Sequence, residues 1–187
     1  MTDPETGGHP ATRSIPVWDI FVRVTHWSVA VLVVADLTVF DDDWAVHRWA
    51  GYVVLALVAL RLVWGLIGPR HARFSAFPPS LQAARAYLAG LLRRRREPHL
   101  SHNPLGALMA YNLWASLVVV CVTGILITSF RFWGIELVEG LHEVSANWVL
   151  ISVGLHLAGV AFDTWHSKVN LVRAMITGQK EIPGREE

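Results

Sequence analysis

Cysteine is almost missing from this sequence. Cys121 stands alone among 187 residues, so no intramolecular disulfide can form and no C-x-x-C-H stretch is available for covalent haem attachment. Charge is scarce too: Asp, Glu, Lys and Arg make up 17% of the chain against 53% hydrophobic residues, a balance that argues against an ordinary soluble domain. The formal net charge of +1 carries little information, and nothing in it calls for a nucleic-acid partner. The first apolar run, residues 20–40, is followed by no A-x-A-like cleavage site. Its 21 residues, roughly 31 Å as helix, exceed a secretory core segment, so a retained span is expected.

What is abundant is apolar and aromatic. Nine tryptophans and a mean hydropathy of +0.39 place the chain among integral membrane proteins. The expected architecture is all-α: an up-down-up-down four-helix bundle embedded in membrane lipid, with spans at about 18–40, 46–67, 105–130 and 141–165. Residues 15–187 form one domain, preceded by a polar tail over residues 1–14 with two prolines and two glycines, read as flexible. Asp19 and Arg23 are spaced as an i,i+4 pair at the start of span one, and Asp41, Asp42 and Asp43 close it in an acidic turn. Arg61, near the end of span two, is expected to snorkel to the surface, and Gly68-Pro69 to end that helix.

The longest connection lies between spans two and three. Pro78-Pro79 break it, and Ser80 can cap a short helix whose Leu81, Ala84, Leu88 and Leu91 recur with a period near 3.6. With Arg85 and the arginine run 93–96, this reads as an amphipathic segment on an anionic surface, a topology signal and not a nucleic-acid site. Span three contains no histidine. Its Asn112, Ser116, Thr123, Gly124 and Thr128 suit close helix packing, and it is expected to contribute no ligand. Residues 131–140 read as a turn, and the basic tail after His166 as a surface segment.

The informative stretch is residues 141–166, apolar enough to span a bilayer yet carrying His142 and His156. Fourteen residues of helix rise roughly 21 Å and stop about 40° short of four turns, so both imidazoles point to nearly the same side at opposite depths. Intramembrane histidine is costly and tends to face the bundle interior. Two haems, one per leaflet, are the sharp reading. Interfacial histidines that snorkel or bond to neighbouring helices are the bland one.

The other spans bear on the choice. Four spans put both termini and the long connection on one face, which carries 14 of the 16 Arg and Lys residues; Arg48 and Arg131 lie on the other. The positive-inside rule makes the first face cytoplasmic. His26 then lies about 12 Å from the cytoplasmic end of its span and His156 about 15 Å. His47 and His142 both sit at the outer ends of theirs. The depths pair His26 with His156 and His47 with His142. Gly51, one turn after His47 on the same face, leaves room for something flat, or serves ordinary small-residue packing. His71, His99 and His102 fall outside the spans and are not expected to bind iron.

The segments VWDIFVRVTHW, HRWAGYVVLALVALRLVWGLIGPRHARF, SHNPLGALM, and LHEV through NLVRAMITG resemble the bacterial di-haem cytochrome b group of the b561 and nickel-iron hydrogenase type, over most of the chain. The resemblance implies a four-helix bundle in the cytoplasmic membrane with two non-covalently bound haem b groups. It also implies electron transfer between the quinone pool, ubiquinone or menaquinone, and a periplasmic carrier such as a c-type cytochrome. The family's four ligands map onto His26, His47, His142 and His156. Two imidazoles per iron leave no open position, which favours electron transfer over oxygen binding. Arg23 inside and Arg48 outside are placed to meet haem propionates, or are simple interface charges. Glu139 could accept the second ring N–H of His142, and Ser152 that of His156. Two other functions stay open: an enzyme that oxidises superoxide and reduces quinone, as described for similar proteins, and a membrane anchor for a larger oxidoreductase.

Overall fold

Asp19 starts the first membrane helix and joins it to the second. In the computed structural model, which describes residues 13–39, 44–92 and 102–182, its Oδ1 accepts the Val22 N–H at 3.0 Å as an N-cap, and its Oδ2 accepts the Trp64 indole N–H at 3.2 Å. The expected Asp19–Arg23 ion pair does not form. Asp19 is spent on the cap and the indole, and Arg23 donates to the Ile176 carbonyl. The acidic turn at Asp41, Asp42 and Asp43, the arginine run 93–96, His99 and residues 1–12 lie outside the described residues.

Four helices are long and apolar enough to cross a membrane: α1 (Ile20–Thr38), α2 (Trp44–Ile67), α4 (Pro104–Ile127) and α5 (Glu136–Ser167), with α3 (Leu81–Leu92) in the long connection. Their outward faces carry exposed Val31, Val34, Leu60, Val63, Leu150, Ile151 and Leu155, as lipid contact requires. The interior is a thin layer of Val54, Val58, Leu117 and Val149, flanked by Val29, Leu32, Val33 and Val153. Close dispersion packing of such side chains, and not hydrophobic transfer, holds helices together in lipid. Among these helices α1 packs on α2, α2 on α4 and α4 on α5, whereas α5 makes no packing of that extent with α1 or α2.

α4 opens on an Asn103 cap, whose Oδ1 accepts the Gly106 N–H at 2.7 Å, with Pro104 in its first turn. α5 begins earlier than the expected 131–140 turn allows. Glu136 and Glu139 in its first turn favour the positive end of the helix dipole, and the 32-residue helix runs roughly 48 Å. Ser80 caps α3 by accepting the Ala83 N–H at 3.2 Å, and α3 turns Ala84 inward and rests on α4.

Arg61 departs from expectation. It is only 6% exposed. Two 3-10 turns, Arg70–Ala72 and Phe74–Ala76, fold the chain back over the end of α2. The guanidinium donates through Nη2 to the Ala72 carbonyl at 3.1 Å and lies 5.0 Å from the Trp114 ring centre. The returning segment covers the path to the surface along which the side chain could have extended.

After α5 comes α6 (Leu171–Thr177), which ends at Gly178 with φ of +82°. That backbone suits glycine, and a Cβ there would run into the Trp18 carbonyl oxygen at 2.6 Å. The Gly178 carbonyl accepts the N–H groups of Val17 and Trp18. Strand β1 (Arg13–Pro16) then pairs antiparallel with β2 (Gln179–Ile182), Arg13 opposite Ile182. Arg13 and Ser14, read as part of a flexible tail, belong to this clip, which joins the segment before α1 to the segment after α6.

Candidate cofactor site

His26 lies in the second turn of α1 and His156 in the second half of α5, and their ring centres are 6.3 Å apart with planes at 57°. His47, in the first turn of α2, and His142, early in α5, have ring centres 6.1 Å apart at 88°. The four histidines singled out in the sequence meet two by two, in the pairing their depths gave. Both pairs bridge helices that do not pack extensively on each other, α5 to α1 and α5 to α2.

The rings of the His47–His142 pair, the outer one in the expected orientation, are held by hydrogen bonds. His142 Nδ1 lies 3.0 Å from the Val120 carbonyl oxygen and 3.1 Å from Thr123 Oγ1. A carbonyl only accepts, and the Thr123 hydroxyl already donates to the carbonyls of Val119 and Val120, so Nδ1 carries the proton. Gly124 permits this approach, since a Cβ there would stand 3.1 Å from His142 Cε1. His47 Nδ1 is 3.0 Å from Asp36 Oδ1, a carboxylate within α1. Both rings thereby keep Nε2 as the basic nitrogen. The expected partner of His142, Glu139, is not used; the Val120 carbonyl on α4 takes its place because α4 and α5 pack closely there.

The inner rings are not held in this way. His26 Nδ1 is buried without a hydrogen-bond partner among the described residues. Ser152, the partner expected for His156, accepts instead from Asn112 Nδ2 at 2.8 Å, and Asn112 Oδ1 accepts the Trp148 indole N–H at 3.0 Å. Ser152, 1% exposed, thus serves the α4–α5 seam. Arg23 leaves its buried Nε unpartnered among the described residues, and Arg48 lies exposed in the first turn of α2. A Cβ at Gly51 would meet nothing within 4 Å, so open space adjoins the helix there.

Near the inner pair the chain buries further charge and aromatic surface. His102 packs on Phe77 at 4.6 Å and edge-on to Trp18 at 4.9 Å. Burial, with Arg61 and Lys180 nearby, pushes its pKa down to about 3. Burial likewise lowers that of Lys180, against the opposing pull of Asp163. Asp163 in turn accepts from Asn103 Nδ2 at 3.2 Å. Asp36 was missed in the sequence, although the one acidic residue in an otherwise apolar span was signal enough.

Both pairs fit an iron porphyrin. With nitrogen–metal bonds of about 2.0 Å, two imidazoles on opposite sides of one iron have ring centres about 6.3 Å apart, against the 6.3 and 6.1 Å found here. Among the described residues no three His, Cys, Asp or Glu side chains converge. Two donors suit an iron whose other four positions a macrocycle fills.

No curated protein and no solved structure matches the chain. The family described as prokaryotic cytochrome b561 matches it over residues 17–178, which takes in all four histidines and every membrane helix. The chain therefore belongs to the prokaryotic cytochrome b561 family, the b-type membrane cytochromes of electron transport.

Proposed function

We propose that the chain holds two haem b groups, one between His26 and His156 and one between His47 and His142, and passes electrons between membrane quinone and a redox partner beyond the outer face. The observation that carries this is the pair of imidazole spacings, each wide enough for one iron, at two depths on one helix. A haem bound at such a pair supplies a one-electron couple with both axial positions closed. The protein's own part is to fix the rings. Asp36, the Val120 carbonyl and Thr123 set the outer pair, and the open sides between α5 and its partners leave room for the macrocycles. Arg23 near the inner pair and Arg48 beside the outer one supply positive charge for propionates.

The bias of 14 basic residues to 2 supports an inner-membrane orientation with both termini in the cytoplasm. The outer partner is then a soluble one-electron carrier of the c-type cytochrome kind. Reduced-minus-oxidised spectra of the purified chain test the reading, with two bis-histidine b haems expected. Spectra of a single haem, or of none, contradict it.

A further inference from the structure

Asp36 is the only acidic residue within α1, α2 and α4. A carboxylate inside a span is costly unless it has a partner, and this one has the imidazole of His47 at 3.0 Å. A carboxylate that accepts Nδ1–H pushes electron density toward Nε2 and stabilises the more positive state of a metal bound there. The inner pair has no counterpart. Among the described residues neither His26 nor His156 bonds to a carboxylate, and His26 Nδ1 has no hydrogen-bond partner at all.

Buried charge of both signs lies on the His102 side of the inner pair. Arg61 is 6% exposed, and its Nη1 has no hydrogen-bond partner among the described residues. Lys180 is buried as well, and His102 lies within electrostatic reach of Arg61, Lys180, His26 and His156 together. Acidic groups also reach this region: Asp19 acts on Arg61 and Asp163 on Lys180. Both keep their charge while accepting from neutral donors, Asp19 from Trp64 and the Val22 N–H, Asp163 from Asn103, and so offset the cations beside them. What distinguishes the inner pair is that no carboxylate holds its rings among the described residues.

We infer that Asp36, through His47, sets the two sites apart: a redox group held by His47 and His142 is the easier to oxidise, one held by His26 and His156 the easier to reduce. An electron delivered at the outer pair then runs inward. The transfer moves one electron, oxidising the outer site and reducing the inner one, with no proton or group exchanged between them. This rests on the two-haem reading above and adds a direction to it. Asp36 acts as a positioning and tuning residue, through His47.

The test is a potentiometric titration of the purified full-length chain, after haem content has been measured. The wild type should show two separate midpoints. Asp36→Asn keeps an acceptor for Nδ1–H and removes the charge. It should raise the lower midpoint by about tenfold in the electron-partition equilibrium, about 59 mV for a one-electron couple, and leave the higher one in place. Asp36→Glu should restore it. Asp36→Gln, a second neutral acceptor at that position, reads the same shift should Asp36→Asn fail to load haem. Equal midpoints in the wild type overturn the inference, as does an Asp36→Asn protein with two haems and unmoved midpoints, or one in which the higher midpoint moves. Absence of two haems from the wild type is seen before any titration; it overturns the two-haem reading, and the inference with it.

Discussion

The two histidine pairs have nearly the same spacing and different surroundings. At the outer pair each imidazole is fixed through Nδ1, by Asp36 on one side and by Val120 and Thr123 on the other. At the inner pair no carboxylate fixes either ring, and His26 Nδ1 has no hydrogen-bond partner among the described residues. The contrast shows that ligand spacing and electrostatic setting are separate properties. The helix positions give the first, and side chains on neighbouring elements give the second.

The largest effect expected is loss of one ligand. His142→Ala should remove the outer haem and spare the inner, and His156→Ala the reverse, each lowering haem per polypeptide by about half in a pyridine haemochrome assay, since a single axial ligand remains. Equal loss of both haems in either variant would mean that the two sites are not independent. Next comes Gly124→Leu. The added side chain must displace His142 from a seam where even a Cβ stands 3.1 Å from its ring. At about 1–3 kcal/mol of overpacking, the outer haem should be held at least several-fold more weakly while the inner is unchanged, as haem-transfer kinetics would show.

Much of this arrangement was legible in the sequence because membrane spans leave few alternatives. The length of the apolar runs gives four spans, and the depth of each histidine gives the pairs. Ser80 before an amphipathic run gave α3 and its cap. What was not legible depended on contacts between distant segments. Arg61 reads as a snorkelling residue until residues 70–76 fold back over it. The β1–β2 clip joins two four-residue stretches at opposite ends of the chain, too short to show a strand period. Helical spacing points to Glu139 and Ser152, but the Val120 carbonyl lies on another helix and Asn112 claims Ser152. Asp36 could have been found, because a lone acid in an apolar span needs a partner, and His47 stands just across the connection.

A smaller effect sharpens the comparison from the inner end. His102, with a pKa of about 3 against an ordinary 6.5, stays neutral in the folded chain but takes up a proton when unfolded below pH 6.5. Its contribution to stability is complete above pH 6.5 and falls as pH drops toward 3, by about 1.4 kcal/mol per unit. His102→Gln should flatten thermal stability over pH 6.5 to 5 by that slope, and an unchanged slope would place the acid sensitivity elsewhere. The smallest effect belongs to Thr123→Val. It removes one of the two acceptors at His142 Nδ1 and leaves the Val120 carbonyl, so the outer midpoint should move in the same sense as in Asp36→Asn but by less. A larger shift than that of Asp36→Asn would reverse the ranking of the two partners.

Electron transfer through two haems requires each histidine pair to close around one iron. Low-temperature electron paramagnetic resonance of the oxidised chain, with haem and polypeptide quantified on the same sample, tests this most directly. Two low-spin, six-coordinate haems per chain are predicted, neither of which binds carbon monoxide when reduced. One haem per chain, or a five-coordinate species that binds carbon monoxide, would contradict it.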